Sequence, residues 1–286
     1  MKPLEGKICI VTGGSRGIGR GCALELGAAG ATVYVTGRSD TESSGKLPGT
    51  VRQTAADVTA EGGKGVAVAC DHREDDQVEA LFAQVASECG RLDVLVNNAF
   101  MMPNSLTSGK PFYELPISNW DDMIDVGLRS AYVATWHAAK LMVPQRSGLV
   151  ANISSSGATE YAWHVVYGVG KCALDRVTAD TAHELRDAQV AVTSLWPGLV
   201  ITERTRPMIE SGRLDFSGAE SQRFTGRAIA HLAADSEMMS FSGQAITSRS
   251  LADRYGFKDI DGKLPNGPMH KRPKALSQKS EKSEKA

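Results

Sequence analysis

The sequence alternates short runs of β-branched and apolar residues with longer stretches of helical periodicity, and this alternation continues through most of the chain. The helical patterns include Arg20 to Ala29, Gln77 to Cys89, Asp121 to Met142 and Tyr167 to Arg186. The runs predicted as strands are Ile8 to Val11, Thr32 to Thr36, Val66 to Ala69, Val94 to Val96, Leu149 to Ile153, Val190 to Leu195 and Gln244 to Thr247. Repeated strand, helix and strand units with right-handed crossovers build a parallel sheet that is covered on both faces. The sequence therefore predicts an α/β fold with a single doubly wound parallel sheet of about seven strands, which binds ligands beyond the carboxyl ends of its strands.

Length and composition favour one domain. The 286 residues suffice for one large core, and neither a Pro/Ser-rich linker nor a repeat of fixed period interrupts the first ~250 residues. We therefore predict one domain over residues 1–270. Beyond it the chain is rich in Lys, Ser and Glu, so residues 271–286 are predicted to form a disordered tail.

Charge and cysteine usage argue against several classes of partner. A formal net charge of -1 gives no reason to expect nucleic acid or an anionic membrane. The five cysteines lie without paired spacing, which is typical of reduced thiols, and no metal site is expected. Residues 1–6 lead directly into the first strand, and no run of about 18 apolar residues occurs. We therefore expect neither a signal peptide nor a membrane span, and we predict a cytoplasmic protein.

The turn between the first strand and the first helix carries glycines at positions 13, 17 and 19. Without side chains the backbone can approach a pyrophosphate at the helix N-terminus, so the turn indicates a dinucleotide site on a Rossmann-like sheet. The end of the second strand selects the dinucleotide, because an acid there favours NAD and an arginine admits the 2′-phosphate of NADP. Arg38 stands at that position, Arg16 is a second cation in the glycine turn, and Asp40 is an acid that could instead favour NAD. The sequence thus favours NADP(H) and leaves NAD(H) open.

Tyr167 and Lys171 are four residues apart in a predicted helix, so the phenol and the ammonium share one face. Such a pair can exchange a proton with a carbonyl oxygen, because the nearby ammonium favours ionisation of the phenol. Ser154 and Ser155 follow the fifth strand just ahead of the tyrosine, and either could donate a second hydrogen bond. These residues predict a site for carbonyl or alcohol chemistry.

Taken together, these motifs resemble the short-chain dehydrogenase/reductase family in kind and in order. The likeness rests on Thr12 to Gly19, Asn97-Asn98-Ala99, the serine pair and the Tyr-Lys pair, and it runs from about residue 6 to 262. It implies an NADP(H)-dependent oxidoreductase that transfers a hydride between nicotinamide and the carbonyl or secondary alcohol of a small apolar substrate. The residues that it implies to be catalytic are Ser155, Tyr167 and Lys171.

The resemblance also implies the residues that contact the cofactor. Lys171 would hold the nicotinamide ribose, Asp71 the adenine amino group and Thr202 the nicotinamide end. The whole predicted set is Gly13, Ser15, Arg16, Gly17, Ile18, Gly19, Arg38, Asp71, Asn97, Tyr167, Lys171, Pro197, Gly198, Val200 and Thr202. Residues 202–225 are expected to form a mobile lid over a small-molecule substrate.

Two positions depart from the usual family pattern. Phe100 follows Asn-Asn-Ala where a glycine is usual, and Gly127 stands where many members carry an asparagine that helps to hold a proton-relaying water. Either a second water replaces the amide or proton exchange is slower. A glycine inside a helix also predicts a kink or a close approach. The two departures together resemble one subgroup of the family, which implies that Gly127 is regular there.

Other functions stay open from the sequence. A non-catalytic dinucleotide-binding or scaffold protein would explain the two departures, although the intact Ser, Tyr and Lys set favours the enzyme. Sugar-nucleotide epimerase or dehydratase chemistry resembles a larger branch of the family, which usually needs a bigger C-terminal domain than the residues after Thr202 supply. A homodimer or homotetramer is expected through helices Asp121 to Met142 and Tyr167 to Arg186.

Overall fold

The computed structural model describes residues 2–41, 47–212 and 216–268. The predicted tail at 271–286 lies outside these residues, as do the last two residues of the predicted domain. Within the described ranges, no helix is both long enough and apolar enough to cross a membrane.

The predicted parallel sheet is present. The strands are β1 Ile8–Val11, β2 Thr32–Gly37, β3 Lys64–Ala69, β4 Val94–Asn97, β5 Gly148–Ile153, β6 Val190–Trp196, β7 Val200–Ile201, β8 Glu220–Ser221 and β9 Ala245–Thr247. The seven-stranded sheet has the order β3-β2-β1-β4-β5-β6-β9, and all its pairings are parallel. Because the order reverses between β1 and β4, a crevice opens at the carboxyl ends of these strands.

Helices cover the sheet on both faces. They are α1 Gly17–Ala28, α2 Val51–Ala60, α3 Asp75–Cys89, α4 Ser118–Ile124, α5 Ser130–Gln145, α6 Val165–Leu185, α7 Arg206–Glu210, α8 Gln222–Ala234 and α9 Ser248–Tyr255. One apolar cluster joins the sheet to α1, α2, α8 and α9, and the other joins it to α3, α5 and α6. On β1 the side chains alternate between the clusters, with Cys9 and Val11 in the first and Ile10 in the second. Burial on both faces explains why the strands read as unbroken apolar runs.

The fourth helical pattern is interrupted in its middle. The sequence predicts one helix from Asp121 to Met142, whereas α4 and α5 are joined by a π-helical turn at Asp125–Arg129. Gly127 lies at the centre of that turn. The predicted kink is therefore a local widening of the helix, which commonly marks a functional site.

A separate two-stranded ladder joins the two ends of the predicted lid. In it Val200 pairs with Glu220 and Ile201 with Ser221. The chain between these strands carries the short helix α7. Helix α8 begins at Gln222, and residues 224 and 225 are fully buried in it. Residues 220–225 are therefore held in the ladder and at the start of α8, and a mobile lid within 202–225 stays a prediction.

Candidate active site

The glycine turn lies between the carboxyl end of β1 and the start of α1. Gly13 and Gly17 have left-handed φ angles of 64° and 57°. A Cβ atom at Gly19 would overlap the carbonyl oxygen of Gly13 and the side-chain amide of Asn98. The turn thus requires glycine at these positions. It presents the first N–H groups of α1, which lack partners within the helix, toward the crevice, and this arrangement binds a diphosphate.

The two asparagines after β4 have different roles. The Asn98 side chain donates from Nδ2 to the carbonyl oxygens of Thr12 and Gly13, at 2.9 and 3.0 Å. Asn97 is buried, and its Nδ2 donates to Oδ1 of Asn152 on β5 at 2.8 Å. Asn98, which the sequence analysis did not single out, therefore holds the glycine turn. Asn97 joins two strands, and its contact with a cofactor stays a prediction.

Two arginines flank the end of β2. Arg16 donates from Nη2 to the hydroxyl of Ser39 at 3.0 Å, and it also donates to the carbonyl oxygens of residues 48 and 49 at 3.0 and 2.8 Å. Arg38 is half exposed, and its Nη1 lies 4.0 Å from the Asp71 carboxylate. Two cations and a hydroxyl thus surround one small region, and this donor set suits a phosphate.

The three predicted catalytic residues meet at the carboxyl end of β5. The Tyr167 hydroxyl donates to Oγ of Ser155 at 2.9 Å. Lys171 is buried one turn further along α6, and its Nζ donates to the carbonyl oxygen of Ile153 at 2.8 Å. Ser154 is buried behind them and donates from Oγ to the Lys171 carbonyl oxygen at 3.3 Å. Of the two candidate serines, Ser155 is the one that faces the phenol.

Burial shifts the pKa values of Tyr167 and Lys171. It raises the pKa of the Tyr167 phenol above its ordinary value, and the hydrogen bond with Ser155 offsets that rise only in part. Burial also lowers the pKa of Lys171 to about 8, against the attraction of the Asp175 carboxylate. The sequence predicted that the ammonium would favour ionisation of Tyr167, but in this structure the pKa of the phenol is raised instead. The phenol is therefore protonated at neutral pH, as a proton donor must be.

Asp175, which the sequence analysis did not single out, supports the lysine from the interior. It lies one turn beyond Lys171 on α6 and accepts from the hydroxyl of Ser194 at 2.5 Å and from Nε1 of Trp196 at 3.1 Å. Burial raises the pKa of this carboxyl, and hydrogen bonds from Ser194, Ser154 and Trp196 oppose the rise. These donors fix Asp175 in place behind the catalytic group.

The segment after β6 closes one side of the crevice. The backbone N–H of Gly198 donates to Oε2 of the buried Glu220 at 3.0 Å. Val200 pairs with the same glutamate in the β7–β8 ladder. Thr202 begins the lid, and its N–H donates to the hydroxyl of Thr205 at 2.8 Å. Glu220 thereby holds the Pro-Gly segment that the sequence assigned to the nicotinamide end.

A carboxylate from the lid caps the N-terminus of α1. Oε2 of Glu203 accepts from the Gly17 N–H at 3.0 Å, and this carboxylate also attracts the Arg16 guanidinium. A helix N-terminus favours an anion through its free N–H groups and its dipole. Glu203 therefore binds at the helix N-terminus that would also bind a diphosphate. It lies 186 residues from its partner, so local sequence spacing gave no signal for it.

The predicted site residues thus collect at one edge of the sheet. Residues 13–19 and 38 form the proposed cofactor end, and residues 155–171 form the proposed chemical end. Residues 197–202 follow β6, and Thr202 lies against Gly17 of the glycine turn. The turn that excludes Cβ atoms and the start of α1 both fit a dinucleotide. In the part of the chain that the structure describes, no group of three or more His, Cys, Asp or Glu residues is placed to hold a metal ion.

Comparison with known proteins identifies the family. Residues 7–211 match the family described as short chain dehydrogenase. The chain belongs to the short-chain dehydrogenase/reductase family, and it is an oxidoreductase of that family. The fold and the site described above are consistent with that membership, because both place a Ser-Tyr-Lys group beside a dinucleotide-type turn.

Two relatives indicate the subgroup. Dehydrogenase/reductase SDR family member 1 of Mus musculus is 46% identical over 277 residues, which covers 92% of this chain and 86% of the relative. The Homo sapiens protein of the same name is 44% identical over 275 residues, with coverage of 91% and 85%. This similarity confirms the subgroup that the sequence suggested through Phe100 and Gly127.

Solved structures share the fold. A metagenomic short-chain oxidoreductase in complex with NADP is 30% identical, with a TM-score of 0.68 over 86% of this chain and 98% of its own. A short-chain type dehydrogenase/reductase from Mycobacterium marinum is 24% identical, with a TM-score of 0.73 and coverage of 85% and 94%, and this likeness concerns the fold alone.

Proposed function

We propose that the chain is an NADP(H)-dependent oxidoreductase that transfers a hydride between nicotinamide and the carbonyl or secondary alcohol of a small apolar substrate. The observation that carries this proposal is the 2.9 Å contact between the hydroxyls of Tyr167 and Ser155, with Lys171 buried one turn away. Two hydroxyl groups converge on one point, where a carbonyl oxygen can accept from both. When bound, the nicotinamide supplies or accepts the hydride.

In the direction of reduction, the substrate oxygen accepts hydrogen bonds from Tyr167 and Ser155. Negative charge develops on that oxygen as the carbon is reduced, and Tyr167 transfers its phenolic proton to it. Ser155 stabilises the developing charge through its hydrogen bond. Lys171 then stabilises the phenolate that remains, because its ammonium lies on the same face of α6. A phenol that is protonated at neutral pH can supply the proton for this step.

The proposed preference for NADP rests on charge at the end of β2. Arg38 is half exposed, and among the described residues its ion pair is a 4.0 Å contact with Asp71, so it can turn toward a 2′-phosphate. Asp40, the acid that could favour NAD, pairs instead with Arg52 at 2.8 Å. Equilibrium titration should give tighter binding of NADPH than of NADH. Replacement of Arg38 by Asp should move the preference toward NADH, and an unchanged preference would contradict this role of Arg38.

A small apolar substrate is supported by exposed apolar and aromatic side chains that lie close to Phe100 and to Tyr167 along the chain. Met102, Tyr161 and Trp163 are 36%, 46% and 41% exposed. Trp163 has a left-handed φ of 62°, and such strain in a non-glycine residue is typical of functional sites. Purified protein should oxidise NADPH when given a panel of ketones and aldehydes, and the Tyr167→Phe protein should not. Equal rates for the two proteins would reject the proposal.

The scaffold alternative receives no support from Phe100 and Gly127. These two departures fit each other in space, and they leave the contact between Tyr167 and Ser155 intact. We therefore keep the enzyme as the proposed function.

We further propose a homodimer or homotetramer assembled through α5 and α6. Large apolar side chains are exposed on both helices, at Tyr132, Trp136 and Val143 and at Val165 and Val169. Such clusters mark association surfaces.

A cytoplasmic location is also proposed. It is supported by the five free cysteines, of which three are buried, since free thiols suit a reducing compartment. Cell fractionation with antibodies to the native protein would test this location.

A further inference from the structure

The two departures from the usual family pattern lie against each other. A Cβ atom at Gly127 would lie 2.6 and 2.8 Å from Cδ2 and Cε2 of Phe100. These distances are too short for any side chain at position 127 unless the ring moves. Gly127 is also at the centre of the π-helical turn between α4 and α5. The turn and the missing side chain together make room for one aromatic ring.

The same ring borders both catalytic side chains on α6. Nζ of Lys171 lies 4.8 Å from the centre of the Phe100 ring, within the range of a cation–π interaction. The Phe100 and Tyr167 rings meet edge to face, with centroids 5.9 Å apart and planes at 82°. Within the described part of the chain, Lys171 donates one hydrogen bond, to the carbonyl oxygen of Ile153. The ring face therefore supplies a second stabilising contact for an ammonium with three donors.

We propose that Phe100 is a positioning residue for the proposed reaction, that its ring holds the Lys171 ammonium and the Tyr167 ring in register, and that Gly127 is a glycine to admit this ring. Only the expected effect on turnover rests on the proposed function. The contact itself is a property of the free protein.

The charge contribution of the ring can be tested without changing its shape. Phe100 is replaced by mono-, di- and trifluorophenylalanine through amber suppression, because fluorine withdraws charge from the ring face with little change in volume. The ionisation of Lys171 is followed by lysine ¹³Cε NMR, with its signal assigned from the Lys171→Met protein. Asp175 and Tyr167 are the titratable groups beside Lys171 in the described structure, and neither residue is substituted in the fluorinated series.

The expected result is a stepwise fall in the titration midpoint of Lys171, by about half a pH unit across the series, since a weaker ring face stabilises the ammonium less. An unchanged midpoint in folded protein would overturn the proposed cation–π contact. Because this readout needs no substrate, it stays valid if the proposed oxidoreductase activity fails.

Substitutions test the positioning role. Phe100→Tyr keeps the ring and should retain kcat within about threefold, whereas Phe100→Leu should lower kcat by about tenfold or more with little change in KM. Gly127→Ala should lower kcat in the native background, because the added methyl displaces the ring. In the Phe100→Leu background the same change should have little further effect. Additive losses, or equal losses in the Tyr and Leu variants, would contradict the proposal.

Discussion

At the scale of single residues, Tyr167 and Ser155 share a hydrogen bond but have unequal roles. Tyr167→Phe removes the proton donor and keeps the ring, so kcat should fall by about 10²- to 10⁴-fold or more while NADPH affinity changes little. Ser155→Ala removes one donor to the developing oxyanion, and kcat should fall by about 10²- to 10³-fold. Steady-state kinetics and cofactor fluorescence titration measure the two effects separately.

The neighbouring serine supplies a matched control. Ser154 is buried and bonds to the Lys171 carbonyl oxygen, so Ser154→Ala should be mild by comparison with Ser155→Ala. Lys171→Met should weaken both turnover and cofactor binding, because the lysine is assigned to both. A deeper loss at Ser154 than at Ser155 would show that the wrong serine has been assigned. Substantial turnover by Tyr167→Phe would refute the mechanism.

Sequence analysis found the residues of the site that lie close together along the chain. Tyr167 and its hydrogen-bond partner Ser155 are 12 residues apart, and Lys171 follows on the same helix face. It missed residues whose partners are distant, since Asn98 bonds to the carbonyl oxygen of Gly13 across 85 residues and Glu203 bonds to Gly17 across 186. Such pairs depend on strand order and lid placement, which local spacing does not encode.

At the scale of elements, we expect Glu203 and the cofactor diphosphate to compete for the anion site at the N-terminus of α1. Glu203 must leave the Gly17 N–H when a diphosphate binds there. Glu203→Gln removes the carboxylate charge, so NADPH affinity should rise by about two- to fivefold. Isothermal titration calorimetry with the protein alone measures this change. Glu210→Gln, an exposed acid in the same lid, is the control and should leave affinity unchanged. Unchanged or weaker binding in Glu203→Gln would contradict the competition.

The ladder at the base of the lid should make stability depend on pH. Burial raises the pKa of Glu220 from its ordinary 4.5 to about 7, so the fold favours the protonated carboxyl. The free energy of unfolding should therefore fall as pH rises from about 4.5 to about 7. Relative to Glu220→Gln, the wild type should lose at most about 1.4 kcal/mol of unfolding free energy per pH unit in that window. Urea unfolding at several pH values measures the difference, and a difference that does not change with pH would exclude Glu220 as the cause.

Strands and helices were predicted well where burial requires apolar residues. The five inner strands of the main sheet, β2, β1, β4, β5 and β6, are buried between two helical layers, so β-branched runs identify each of them within one residue at either end. The edge strand β3 is more exposed, and it begins at Lys64, two residues before its predicted start. Helix α1 begins at Gly17, three residues before the predicted start. The prediction began late because glycines, which have low helix propensity, occupy the first turn of the helix. At Gly127 the sequence predicted a kink or a close approach, and the structure has a π-helical turn with the Phe100 ring close to it. The partner ring was not predicted, because it comes from a segment 27 residues away in the chain.

At the scale of the whole molecule, α6 carries both predicted catalytic residues and residues of the proposed association surface. Its inner face carries Tyr167 and Lys171, while Val165 and Val169 are exposed. On α5, Trp136 is half exposed, and Nζ of Lys140 lies 3.3 Å from the centre of its ring. An interface on these helices would restrain the element that positions the catalytic pair, which couples assembly to the site.

The oligomeric state gives the last prediction. Light scattering at micromolar concentration should give at least twice the monomer mass of 30.5 kDa. Trp136→Asp places a charge at the centre of the proposed interface, where desolvation is costly, and should shift the mass toward the monomer. Ile260→Asp changes an equally exposed apolar residue outside α5 and α6 and should leave the mass unchanged. A monomeric wild type, or equal dissociation by both substitutions, would decide against this interface.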